Sequence, residues 1–131
     1  MNRILIVDDE AIGRAVMEDI FGRYGQTVSV STGHDAIRLY KKATEVRKDF
    51  NLVFLDISLE DMNGLDLLNQ IKDFDAAQEK KGAMVIMVTA HSERELVMGC
   101  IQSGCRAYFI KPLKQKTVDK KMSELGFRPL K

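Results

Sequence analysis

Four short apolar runs in this chain each stop at a polar residue, and this pattern restricts the fold more than any other feature. Residues 3–7 end at Asp8 and Asp9, 52–55 at Asp56, 84–88 at Thr89, and 107–110 at Lys111-Pro112. Runs of this length, rich in Ile, Val, Leu and Phe and bounded by polar or turn-forming residues, suit buried strands. Between them lie segments whose apolar residues recur at helical spacing. Strands that alternate with helices favour a parallel sheet covered on both faces. In such an open α/β sheet, ligands bind in the crevice beyond the carboxyl ends of the strands. The pattern therefore predicts a doubly wound α/β fold with Asp8, Asp9, Asp56, Thr89 and Lys111 along one edge.

The intervening segments support that expectation. Ile12, Ala15, Val16, Ile20 and Tyr24 mark a first helix that Gly25 would end. A short β-branched strand is expected over 27–31. Ala36, Leu39, Tyr40, Ala43 and Val46 mark a second helix, capped either by Thr32 or by the loop around Gly33 and His34. Leu67, Leu68, Ile71 and Phe74 mark a third, and the polar stretch 75–82 reads as the longest loop. Ser92, with Glu95 three residues on, forms a capping box for a fourth helix whose buried stripe is Val97, Cys100 and Ile101. Gly104 suits its C-terminal cap. Val118, Met122 and Leu125 give a short last helix ending at Gly126, and residues 127–131 are expected to fray.

With 131 residues, 45% hydrophobic and 30% charged, the chain fits one soluble globular domain over 1–131, with no output domain. A net charge of +1 argues against direct nucleic-acid binding and against a polybasic membrane surface. Residues 111–131 carry seven basic and two acidic side chains, a gradient that reads as a solvated helix face. Cys100 and Cys105 match no metal or redox spacing and are expected as buried free thiols. The start runs straight into a strand without a signal-peptide pattern, so a cytoplasmic location is expected.

Three carboxylates at one sheet edge raise one another's pKa and call for a counter-charge. Oxygen-only ligation suits Mg²⁺, which binds through one or two carboxylates plus a phosphate. Asp9 and Asp56 are assigned as direct ligands, Asp8 as acting partly through water, and the backbone carbonyl of Ser58 as a third protein ligand. Lys111 and Thr89 would each meet a phosphoryl oxygen, and Asp56 would be the nucleophile that forms an acyl phosphate. His91 falls either at the cleft mouth or on a surface loop. His34 has no carboxylate cluster beside it in the sequence and is assigned no role.

Several motifs resemble the receiver domain of bacterial two-component response regulators, with similarity running from Ile4 to about Leu125. They are I-L-I-V-D-D-E over 4–10, L-V-F-L-D-I over 52–57, M-N-G-L over 62–65, V-T-A over 88–90 and G-C-R-A-Y-F-I-K-P-L over 104–113. The resemblance implies a flavodoxin-like five-stranded parallel sheet in the order 2-1-3-4-5, as in the chemotaxis members of that family. It implies that Asp56 accepts phosphate from a sensor histidine kinase or phosphotransfer protein, with Asp8, Asp9 and Asp56 as the Mg²⁺ cluster. Thr89 would be the switch hydroxyl, Lys111 the phosphate-binding lysine and Tyr108 the aromatic switch. The Lys111-Pro112 bond is typically cis in the family. Many receivers have Met-Pro where this chain has Leu59-Glu60, and Ser58 and His91 occupy the two variable positions flanking the phosphoryl group.

The function expected is a phosphoryl-accepting signalling switch that catalyses only its own phosphorylation and dephosphorylation. A downstream effector protein would read it on the face of the fourth helix, fifth strand and last helix, with a phosphorylation-dependent homodimer as a further option. Two alternatives from other classes are a phosphate-independent receiver-like scaffold and an aspartyl-nucleophile phosphohydrolase. The hydrolase usually wants a second acid where this chain has Ser58.

Overall fold

The computed structural model describes residues 1–90 and 94–130. Strands and helices alternate throughout: β1 (Asn2–Val7), α1 (Ala11–Phe21), β2 (Gly25–Val30), α2 (Gly33–Glu45), β3 (Leu52–Leu55), α3 (Gly64–Ala77), β4 (Met84–Thr89), α4 (Arg94–Gln102), β5 (Ala107–Ile110) and α5 (Gln115–Glu124). The five strands form one parallel sheet in the order β2-β1-β3-β4-β5. Among the described residues no helix is long and apolar enough to cross a membrane.

Side chains alternate across a strand, so the continuous apolar runs of β1, β3 and β4 feed two cores. On one face Leu5, Val7, Val53, Leu55, Val85 and Met87 pack with Ala36, Tyr40, Leu67, Leu68 and Ile71 of α2 and α3. On the other, Ile4, Ile6, Phe54, Ile86 and Val88 pack with Met17, Phe21, Val118 and Met122 of α1 and α5. Phe21 stacks on Phe54 with ring centroids 3.6 Å apart. Truncating either ring would cost about 3–5 kcal/mol.

Helix α1 is rotated from the phase expected. Ile12 is 80% exposed, and Ala15 and Val16 also face solvent, while Met17, Ile20, Phe21 and Tyr24 are buried. Gly13 explains the rotation: a Cβ there would lie 2.2 Å from Asp8 Oδ2, so the glycine lies over the sheet edge. The face one and two turns on is then 17, 20, 21 and 24. The helix also ends at Phe21, and Gly25 opens β2 instead of ending α1, two residues before the expected strand start. There a Cβ would meet the Asn2 carbonyl oxygen at 2.3 Å, so only glycine allows this close pairing with β1.

Three further expectations are corrected. Asp75 is not loop: α3 continues through it to Ala77, and its carboxylate is buried. The Tyr40 hydroxyl donates to Asp75 Oδ1 at 2.8 Å and accepts from the Ala83 N–H at 3.0 Å, giving that carboxylate a partner inside the core. Ile101 is 46% exposed, because the α4 stripe that reaches the core ends at Cys100. Residues 127–130 do not hang loose, since Phe127 packs on the α1/α5 core and the Leu130 N–H donates to the Arg23 carbonyl at 2.7 Å.

Other expectations hold. The Thr32 side chain accepts from the Asp35 N–H and caps α2. Gly104 and Gly126 have positive φ (101° and 94°) just past α4 and α5. The backbone bonds Cys105 N–H to Cys100 O and Phe127 N–H to Met122 O close both helix ends in the Schellman manner. Both cysteines are free and buried, and burial pushes the Cys105 thiol up to about 11. Ser92 and His91 lie outside the described residues.

Candidate functional site

Three of the polar residues at the sheet edge are held there by the last carbonyl of a neighbouring strand. The Asp8 N–H donates to Val30 O at 3.2 Å, the Asp56 N–H to Val7 O at 3.0 Å and the Lys111 N–H to Thr89 O at 2.8 Å. The parallel ladder thus continues one residue beyond the strands and aligns the side chains that follow. Asp8 and Thr89 are fully buried, and Asp56 is nearly so. The Lys111-Pro112 bond is cis.

Lys111 ties the edge together. Its ammonium donates to Asp8 Oδ2 at 2.8 Å and to Asp56 Oδ2 at 3.0 Å, linking positions 103 and 55 residues apart in sequence. The remaining carboxylate oxygens are also engaged: Asp8 Oδ1 accepts from the Glu10 N–H at 2.9 Å, and Asp56 Oδ1 from the Ser58 N–H at 3.0 Å. Burial works against the Lys111 charge, but the hydrogen bonds to Asp8 and Asp56 outweigh it and hold its pKa above the ordinary lysine value.

Asp9 stands half-buried at the mouth of the cleft. Burial, then the charges of Asp56, Asp8 and Glu60, raise its carboxyl above the ordinary value. One carboxylate oxygen from each of Asp8, Asp9 and Glu10 lies within 4.8 Å of the others. An all-carboxylate cluster strained by like charge is the donor chemistry a small hard cation favours, so these residues fit Mg²⁺. Glu10 is the member that the sequence analysis did not assign, although it closes the motif over 4–10. Asp56 stands outside this triad, its carboxylate turned to Lys111 and to Ser58.

The comparisons with known proteins agree with this geometry. Residues 4–123 match the response regulator receiver domain. The chain belongs to that family. It is 31% identical to the chemotaxis protein CheY-3 of Vibrio cholerae over 125 residues, covering 94% of this chain and 90% of the relative. Identity to the chemotaxis protein CheY of Bacillus subtilis is 33% over 119 residues, covering 89% of this chain and 91% of the relative. In three dimensions the receiver resembles a chain of the CheX–CheY–BeF3–Mg²⁺ complex from Borrelia burgdorferi. That match has a TM-score of 0.79 at 30% identity and covers 95% of this chain and 89% of the other.

Tyr108, carried over from the resemblance, lies on β5, 42% exposed, beside Ile110 and opposite Met87 in the sheet register. The receiver's β5 alternates, with Ala107 and Phe109 inward and Tyr108 and Ile110 outward. A groove of about 650 Å³ runs along this surface and includes Ile101, Arg106, Tyr108, Leu113 and Lys121 in its lining.

His34, to which the sequence assigned no role, has one carboxylate partner. Its ring pairs with the Asp61 carboxylate, which also accepts the Gly33 and His34 backbone N–H groups at 2.9 Å each. The partner is 27 residues away, in the loop after β3, so no local pattern announces the pair.

Proposed function

We propose that this receiver is a Mg²⁺-dependent phosphoryl acceptor whose phosphorylation is read by a partner protein. The observation that carries the reading is the Lys111 ammonium bridging Asp8 and Asp56 at the sheet edge. A carboxylate oxygen of Asp56 attacks phosphorus on a phosphohistidine, the imidazole leaves, and an acyl phosphate remains. Such transfers depend on positioning and charge stabilisation more than on covalent help. When bound, Mg²⁺ neutralises charge on the transferring group. Lys111 then gives up one carboxylate partner for a phosphoryl oxygen, and the Thr89 hydroxyl donates to another. The protein carries out no chemistry beyond its own phosphorylation and dephosphorylation.

The output runs from Thr89 to Tyr108. Thr89 ends β4, Tyr108 lies on the adjacent strand β5 opposite Met87, and Lys111, just past the end of β5, donates its N–H to the Thr89 carbonyl. Movement of Thr89 toward a phosphoryl group vacates space that the Tyr108 ring can fill. That changes the surface of α4, β5 and α5, on which the effector docks. The direct test is acetyl phosphate with Mg²⁺, followed by intact mass. Wild type should gain one phosphoryl group and Asp56→Asn none; labelling that persists in the variant refutes the acceptor assignment.

A further inference from the structure

Residues 57–63 lead from Asp56 to α3 and contain neither proline nor glycine, yet they fold tightly. Ser58 and Asn63 form an isolated antiparallel bridge, and the Gly64 N–H donates to Ile57 O at 2.7 Å. The apex of the loop is fastened to a different part of the chain. Asp61 Oδ1 accepts the Gly33 N–H and Asp61 Oδ2 the His34 N–H, both at 2.9 Å, at the first two residues of α2. Met62 packs against the same point, so closely that a Cβ on Gly33 would lie 2.5 Å from its sulfur. At the base of the loop, the Ser58 N–H donates to Asp56 Oδ1 at 3.0 Å.

We propose that Asp61 is a positioning residue for phosphoryl transfer, clipping the loop to the α2 N-terminus so that Ser58 holds the Asp56 carboxylate in place. The inference rests on the reading of Asp56 as acceptor. A carboxylate at a helix N-terminus that accepts backbone N–H groups is a strong, charge-assisted fastening. Burial alone would raise the Asp61 pKa, but the Gly33 and His34 backbone donors and the His34 ring outweigh it and bring the group to about 2. Asp61 therefore stays ionised, and the clip closed, throughout the working pH range. With no proline to restrict it, this loop has its fixed path set by contacts, and Asp61 makes the contacts farthest from the loop's ends.

The test uses Asp61→Ala and Asp61→Asn in the full chain, with three readouts: Mg²⁺ affinity by calorimetry, the Ser58 amide resonance, and the rate of phosphorylation by acetyl phosphate. With Asp56 and the Ser58 carbonyl assigned as Mg²⁺ ligands, Asp61 supports the metal site from behind, and removing such a group commonly weakens metal binding tenfold or more. Asp61→Ala should therefore weaken Mg²⁺ binding about tenfold, slow phosphorylation and shift the Ser58 amide. Asp61→Asn keeps one acceptor oxygen and should recover part of each loss. A lower melting temperature with unchanged Mg²⁺ affinity, rate and Ser58 resonance would make Asp61 a structural cap only and overturn the proposal. Failure of the acceptor reading looks different, since wild type itself would then gain no phosphoryl group.

Discussion

Replacing Lys111 with methionine tests the electrostatics of the site directly. Methionine keeps an unbranched chain of similar reach and removes only the charge and its hydrogen bonds. The ammonium sits 2.8 Å from Asp8 and 3.0 Å from Asp56, with its own side chain 23% exposed. At an effective dielectric near 20, the Coulomb attraction of each such pair is about 5.5–6 kcal/mol, against which the desolvation of all three ions must be set. Breaking a buried pair from one side typically costs about 3–5 kcal/mol, because the charges left behind are uncompensated. Lys111 keeps some contact with water, so the low end applies: a loss of about 3 kcal/mol at neutral pH. Urea unfolding should show this as a lower midpoint with an unchanged slope. Wild type keeps the Lys111 contribution in full below the ordinary lysine value. It loses it only as pH rises through the higher folded-state value. The variant should lack that alkaline loss. It should also gain more stability from added Mg²⁺ than wild type does, because its carboxylates have no other counter-charge. An unchanged midpoint together with no extra gain from Mg²⁺ would refute the view that Lys111 balances this cluster.

Mg²⁺ affinity should fall further in Asp9→Ala than in Asp8→Ala, since Asp8 already shares its charge with Lys111 whereas Asp9 is raised by burial and by its acidic neighbours; calorimetric titration checks the ranking, and equal losses would refute it. Because the Asp9 pKa is raised on folding, Mg²⁺-free protein should gain stability as pH falls through that folded value, and Mg²⁺ should flatten the trend. Thr89→Ala should still be phosphorylated at Asp56, but the chemical-shift change at Tyr108 on adding beryllofluoride should shrink; a full change would mean the switch bypasses this pair. Tyr40→Phe should cost about 2 kcal/mol at neutral pH, since it strips a donor from buried Asp75 and an acceptor from the Ala83 N–H. Burial raises the Asp75 pKa, so that cost should shrink as pH falls and Asp75 takes up a proton, a trend visible in urea midpoints across pH.

What could be read from sequence follows from which physical signals are local. The strand-end residues were legible because a parallel sheet forces every carboxyl end to one edge, so Asp8, Asp56, Thr89 and Lys111 had to meet once the strands were recognised. The rotation of α1 was not legible. Ile12, Ala15 and Val16 satisfy helical spacing as well as Gly13, Met17, Ile20 and Phe21 do, and only the missing Cβ of Gly13 against Asp8 selects between the two faces. Asp75 looked like loop because a carboxylate in a core is costly unless it is hydrogen-bonded, and its partner Tyr40 lies 35 residues away. Asp61 was missed for the same reason: it marks a turn in any local reading, and its partners Gly33 and His34 lie on the other side of β3. Periodicity and turn chemistry report on neighbours in sequence, whereas these two carboxylates are defined by donors supplied across the fold. A polar residue with no local explanation, such as Asp75 or Asp61, is therefore where a long-range contact should be sought first.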